Sequence, residues 1–403
     1  MPMFSVRAVG IVLAGCLMAS VSARGATEAV VYTFGAANHG QNPSAGLIDV
    51  NGRLYGTTGA GGKHTNCSGG CGTVFWVTPE GIEKVVYSFN GAGNLEDGSY
   101  PSAGLLKVSG KYYGTTQDGG ANNLGTVFAV EKSGAETFVY SFRGGSDGAN
   151  PKAGLIEVGG SLYGTTVTGG NVTPFNNSGG GTVFSITTAG NEKVVYAFNG
   201  AGNPDDGASP NAGLINVGGT LYGTTELGGV ASANCPSGCG TVFSITPAGT
   251  ETVVYSFKGG SDGAFPRAAL INVGGTLYGT TSTGGGTGCT GPGCGAVFSV
   301  TPEGSEKVVY AFGGPPSDGY YPNAGLINLG GLLYGTTSAG GAIDAGTVFS
   351  LTKAGKEKVL HSFVGGSDGE DPLSSLTDVG GVLYGTTYEG GACNCGTVFS
   401  VTP

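Results

Sequence analysis

Basic residues are scarce. The 403-residue chain carries 17 Lys and Arg against 27 Asp and Glu, a net charge of −10. The cations are scattered singly, so neither a nucleic-acid backbone nor an anionic membrane surface finds a matching patch. Long apolar runs are missing after residue 26, so no membrane-spanning helix is expected there. His39, His64 and His361 are the only histidines and stand far apart, whereas a zinc finger needs its ligands clustered. No stretch of ten or more residues keeps a helical period. A Ser-His-Asp set, a phosphate-binding loop and a paired-carboxylate motif are all absent. The sequence alone reveals no metal or cofactor site.

Glycine and aromatics are what the chain has instead. There are 84 Gly, with 18 Tyr, 18 Phe and 39% hydrophobic residues. Average glycine usage is about 7%, and no Gly-X-Y period points to collagen. That apolar content can build a core, so the glycine excess is turn chemistry rather than disorder. The first 26 residues differ in kind. Arg7 precedes an apolar run from Ala8 to Val21, and Val21-Ser22-Ala23 and Ala23-Arg24-Gly25-Ala26 offer small-residue cleavage sites. Residues 1–26 therefore read as a secretory signal peptide. Within it, Leu13-Ala14-Gly15-Cys16 (residues 13–16) is similar to a bacterial lipobox, which would place a lipid on Cys16. Release into the periplasm or medium and lipid anchoring at the cell surface both stay open.

Four motifs then recur seven times in fixed order: VVYSF-like from Val30, P-x-A-G-L-like from Pro43, LYGTT-like from Leu54 and GTVF-like from Gly72. The glycines of successive LYGTT copies are 50 to 59 residues apart (Gly114 to Gly164, Gly164 to Gly223). Four short β-branched and aromatic runs in a period near fifty are the mark of a propeller blade. Residues 27–403 are expected to be all-β, a seven-bladed β-propeller of four-stranded antiparallel blades. VVYSF and GTVFSVT do not alternate cleanly, which fits sheets covered on both faces. After the signal peptide the mature sequence begins on VVYTF and ends on GTVFSVTP, so Val30–Phe34 should complete the last blade and close the ring, removing exposed edges. LYGTT should be each second strand, entered by a Gly-Gly turn. Its Tyr would pack between blades, its Gly would let sheets approach, and its Thr pair would sit near the rim.

The combination of VxYSF, GGSDGxxPxAGLI, LYGTTxxGG and GTVFSVTPxG resembles the GloVer tandem-repeat, or "choice-of-anchor", family. The diglycine after LYGTT is more loosely kelch-like. The resemblance runs from about Val30 to the C-terminus. It implies an exported repeat protein with no established enzymatic activity, in some members held by a C-terminal sorting anchor.

Alternating strand direction puts the Gly-Gly turn and the TPEGxEK-type turn on one face. The longer SDG loop and the Gly-rich loop after LYGTT share the other, and such loops on a rigid scaffold favour binding. Eight cysteines fall in the Gly-rich loops as Cys67/Cys71, Cys235/Cys239, Cys289/Cys294 and Cys393/Cys395. In an exported protein local pairs read as disulfides. The one-residue spacer of the last pair strains bridge geometry and leaves its state open. Asp97, Asp147, Asp206, Asp262, Asp318 and Asp368 are either turn residues accepting backbone N–H groups or a ring of carboxylates for cations such as Ca²⁺. His39 stands at the first copy.

Residues that break the repeat on the loop face are the candidate ligand contacts: Trp76, Phe175, Phe265, Arg267, Tyr320, Tyr321, Glu226, Tyr388 and Glu389. Two functions compete. One is a non-catalytic, monomeric extracellular propeller that binds a glycan or a protein through the loop face. The other is a glycan-cleaving hydrolase or lyase with carboxylates at the channel mouth.

Overall fold

The computed structural model describes residues 26–403 apart from 36–37, 92–96, 172–177, 201–205, 287 and 290. Residues 1–25, with the lipobox and Cys16, and Phe175 lie outside the described residues. Seven four-stranded antiparallel sheets succeed one another along the chain. Blade 3 shows the pattern from inside to outside: Ile156–Val158, Ser161–Thr166, Thr182–Ile186 and Glu192–Ala197. The LYGTT run is the second strand, and Gly159-Gly160 turns into it with both φ angles positive, 61° and 82°. Ring closure is as expected. Thr27–Thr33 pairs antiparallel with Thr397–Thr402, Val30 opposite Phe399, as the outermost strand of blade 7. Among the described residues no helix is long and apolar enough to cross a membrane.

The repeat words can now be given physical meanings. The Phe that closes each VVYSF copy is fully buried at Phe34, Phe89, Phe142, Phe198, Phe257, Phe312 and Phe363. Each meets, edge to face, the Phe of the next blade's GTVF run, as Phe198 meets Phe243 with ring centres 5.1 Å apart. Such pairs contribute about 0.5–1.5 kcal/mol each beyond the area they bury. The first Thr of LYGTT reaches across the seam. Thr57, Thr115, Thr165, Thr224 and Thr280 donate to the carbonyls of Ala103, Ala153, Ala212, Ala268 and Ala324 at 2.9 to 3.1 Å. Thr336 does the same to Ser374, and Thr386 to Pro43. The second Thr bonds the Thr of the adjacent strand within the blade, as Thr58 does with Thr73 at 2.8 Å. The Tyr packs into the seam, with Tyr55 stacked on Tyr112 at 4.4 Å.

Two expectations need correcting. The glycine of LYGTT does not serve the approach of neighbouring sheets. A Cβ on Gly56 would come within 2.7 Å of Leu47 and 2.9 Å of the ring of Phe75, its cross-strand partner in the same blade. It is the hollow into which that ring folds. The uneven alternation of VVYSF has a local cause, a register shift in each outer pair such as that between Val183 and Phe184, where a bulge inserts one residue. The loop-face segments themselves are paired. The SDG and post-LYGTT loops meet in short antiparallel ribbons, such as Gly98–Ser99 with Asp118–Gly119, or in single bridges such as Ala149 with Thr168.

Candidate functional site

The loop face carries two rings of positions at which the backbone repeats and the side chain does not. The first ring is the residue before the proline of each P-x-A-G-L copy: Asn42, Tyr100, Asn150, Ser209, Phe265, Tyr321 and Asp371. All seven have left-handed φ angles of 56° or 57°. A residue before proline is ordinarily held extended, and a bulky residue at positive φ is strained. The surroundings enforce it. Tyr100 N–H donates to the carbonyl of Cys71 in the preceding blade's loop at 3.0 Å, and its carbonyl accepts from Gln117 N–H at 3.2 Å. Phe265 is held alike by Cys239 and Ser282, and Tyr321 by Cys294 and Ser338. The second ring is the residue after LYGTT: Gly59, Gln117, Val167, Glu226, Ser282, Ser338 and Tyr388.

Most of the sequence candidates belong to this arrangement. Phe265 and Tyr321 are in the first ring, Glu226 and Tyr388 in the second, and Tyr320, Arg267 and Glu389 beside them. They do not converge. Tyr320 and Tyr321 touch edge to face at 4.5 Å beside a cavity of about 270 Å³ with Cys289. Phe265 lines another of about 160 Å³. Arg267 and Glu226 are spent on each other, the guanidinium donating to one carboxylate oxygen at 2.6 and 3.0 Å while Asn211 donates to the other. Glu389 stands near Asp371, whose carboxyl burial and the charges of Glu389 and Glu370 push up to about 6. Trp76 is on the wrong end of its strand. It pairs with Tyr55 and Lys84, and Arg53, just past the short Asn51–Gly52 turn, lies over its ring at 4.4 Å. That is the short-turn face.

A larger cavity, about 550 Å³, opens at the junction of blades 7, 1 and 2. Tyr388 and Tyr100 line it, with Asn42, Ser102, Gln117 and Asp118 supplying polar groups. It opens here because blade 1 places Gly59 where other blades carry larger second-ring residues. A Cβ built on Gly59 meets only the Asn42 carbonyl oxygen, at an ordinary 3.5 Å. Asn42 Nδ2 donates to the Tyr388 carbonyl at 3.0 Å, and Asn150 Nδ2 donates to Asp118 at 3.2 Å. Sequence reasoning singled out Tyr388 but missed Tyr100, Asn42, Gln117 and Asp118. Reading down the column of residues before the seven prolines would have found Tyr100 and Asn42.

The six SDG aspartates are turn residues. Asp206 accepts from the N–H groups of Asn199 and Gly207 and from the Tyr196 hydroxyl, at 2.8, 2.7 and 3.1 Å. Asp97, Asp147, Asp262 and Asp318 accept from Tyr87, Tyr140, Tyr255 and Tyr310. These tyrosines are in the outermost strands, so the carboxylates sit at the outer edge of the ring. A glutamate from the next blade's outer strand completes each such station. Burial pushes Glu192, Glu251 and Glu306 up to about 7, with Asp147, Asp206 and Asp262 adding charge repulsion. At the axis, by contrast, the backbones crowd. A Cβ on Gly104 would come within 3.3 Å of the Gly46 carbonyl, and one on Gly154 within 3.3 Å of that of Gly104. All four cysteine pairs are bonded, Cys67–Cys71, Cys235–Cys239, Cys289–Cys294 and Cys393–Cys395, the one-residue spacer included. Such bonds belong to an oxidising compartment.

The Gloeobacter/Verrucomicrobia repeat matches residues 14–234 and 229–403. The chain belongs to this family. No curated protein matches it. Among solved structures, one assigned as a 6-phosphogluconolactonase from Bacteroides uniformis superposes with a TM-score of 0.51 at 15% identity. That likeness spans 83% of this chain and 89% of the other. A puromycin hydrolase gives 0.51 at 12% identity over 87% of this chain and 50% of its own. At these identities the likeness carries the propeller fold and nothing about chemistry.

Proposed function

We propose that this member of the repeat family is an exported, non-catalytic, monomeric propeller that binds a glycan in the cavity between Tyr100 and Tyr388. Residues 1–26 direct export, and the four disulfides suit the compartment reached. The carrying observation is the 550 Å³ cavity itself, which falls within the size range of small-molecule sites. Its two phenol rings offer flat apolar surfaces beside amide, hydroxyl and carboxylate groups, the pairing that a sugar's apolar face and hydroxyl rim require. Asp118 is the one carboxylate among its lining residues. Glycoside hydrolysis takes a pair, so binding is the better reading than the hydrolase or lyase alternative.

The test is a glycan array probed with the purified protein and with Gly59→Gln, which puts into blade 1 the side chain blade 2 carries at that position. Binding should fall at least tenfold in Gly59→Gln, with its melting temperature unchanged, and likewise in Tyr388→Ala. Release of reducing ends from any bound glycan would overturn the non-catalytic reading. Equal binding by Gly59→Gln would overturn the location.

A further inference from the structure

The two histidines His39 and His361 both stand at perimeter stations, and both flank the strand that closes the ring. At five junctions a station consists of the outer-strand Tyr, the SDG Asp and the Glu of the next outer strand. Tyr140, for example, donates to Asp147 at 2.6 Å and to Glu192 at 3.3 Å. At the junction of blades 6 and 7 the Tyr position is occupied by His361. Its Nε2 lies 3.1 Å from Asp368 Oδ2 and 4.0 Å from Glu28 Oε2, and Glu28 belongs to the closing strand. One donor atom from each of the three side chains falls within 4.8 Å of the other two. The three side chains are only 12%, 14% and 20% exposed for Glu28, Asp368 and His361.

We propose that Glu28, His361 and Asp368 bind a single divalent transition-metal ion, Zn²⁺ foremost, which ties the first strand of the chain to the sixth blade. Replacing a phenol by an imidazole exchanges a neutral hydroxyl, a weak ligand for Zn²⁺ near neutral pH, for a nitrogen lone pair that Zn²⁺ favours. Imidazole with two carboxylates is a donor set for Zn²⁺, which leaves a fourth position for water. Zinc bonds of about 2.0–2.1 Å in a tetrahedron put neighbouring ligand atoms about 3.3 Å apart. The observed 3.1 and 4.0 Å bracket that value, and a small turn of the Glu28 side chain closes the set. The frame is in place: Val364 N–H holds Asp368 Oδ2 at 2.8 Å, and Phe363 packs edge to face on the imidazole at 4.7 Å. Glu28 Oε1 is buried without a hydrogen-bond partner, as are the Oε1 atoms of Glu83, Glu192, Glu251, Glu306 and Glu357 at other stations, so the imidazole is what sets this station apart. The station on the other side of the closing strand is not equivalent. There His39 is half-exposed and meets one carboxylate, Glu83, at 3.2 Å, with Tyr32 retained.

The experiment is titration of chelator-treated protein with ZnCl₂ by calorimetry, alongside thermal melts and hydrogen exchange. One Zn²⁺ per chain should bind. Zinc at one hundred times Kd should raise Tm by about 3–5 °C and slow exchange over Thr27–Thr33. His361→Tyr, which installs the residue the other stations hold, should abolish all three effects, and Glu28→Gln should weaken binding at least tenfold. His39→Gln should leave them intact. No binding up to 1 mM (about a hundredfold above a weak structural site), or equal binding by His361→Tyr, would overturn the assignment.

Discussion

Within one repeat, five residues and the one that follows them behave oppositely. Leu54–Thr58 is buried throughout and is spelled almost identically in all seven blades. The next position is Gly, Gln, Val, Glu, Ser, Ser or Tyr, and its backbone N–H makes the same bond each time, to the carbonyl of the residue before a proline. In the first region every position has a packing duty: a ring in a seam, a hydroxyl on a neighbouring blade's carbonyl, a hydroxyl on the adjacent strand and a hollow for a Phe of the same blade. In the second only the main chain has one. Repetition therefore marks what supports the ring, and variation on an unvarying backbone marks what the ring displays.

The sharpest way to break this comparison is to cut one member of each region. Phe198→Ala removes a fully buried ring from the seam of blades 3 and 4 and should cost about 3–5 kcal/mol in urea unfolding. Gln117→Ala, at the displayed position of blade 2, should stay within about 0.5 kcal/mol of the parent. Similar losses at both would dissolve the distinction.

The perimeter stations give a second prediction. Glu192, Glu251 and Glu306 titrate near 7 in the fold and near 4.3 when unfolded. Between these values the folded chain holds more protons, so stability falls as pH rises through that window and levels off above about 8. Melting temperature should therefore be higher at pH 5 than at pH 8, and Glu306→Gln should flatten the slope.

The smallest effect comes from blade 5, where the frame itself departs from the repeat. Ala296 stands where six blades have Thr, and Thr281 Oγ1 is left buried with no partner. Ala296→Thr restores the Thr–Thr pair and should stabilise the protein by about 1 kcal/mol, read as a shift of the urea midpoint.

How far the sequence reached follows from the same division. The number of blades, the strand order and the pairing of Val30–Phe34 with the last blade were all legible, because each is a property of period and of which strand lacks partners. Cysteine spacing likewise disclosed three local bridges, and the structure added Cys393–Cys395, which the spacing had left open. The candidate residues were legible only as departures from the repeat. Phe265, Tyr321, Glu226 and Tyr388 were recognised as odd, but nothing in their spacing told that Glu226 is neutralised by Arg267. Nor did it tell that Tyr388 and Tyr100 line one cavity together with Gly59. Trp76 was assigned to the wrong face although it precedes the Thr78–Gly81 turn, whose short-turn face the strand alternation already fixed.

By itself, then, the chain's order of residues determined the sevenfold scaffold, since local strand chemistry repeated at a fixed interval needs only nearest-neighbour burial to be satisfied. Tertiary structure alone decided which side chains meet across seams. Closing the circle brings Glu28 beside His361 and sets Tyr388 and Tyr100 around one cavity, and proximity between residues so distant in sequence is set by the geometry of closure, not by any local pattern.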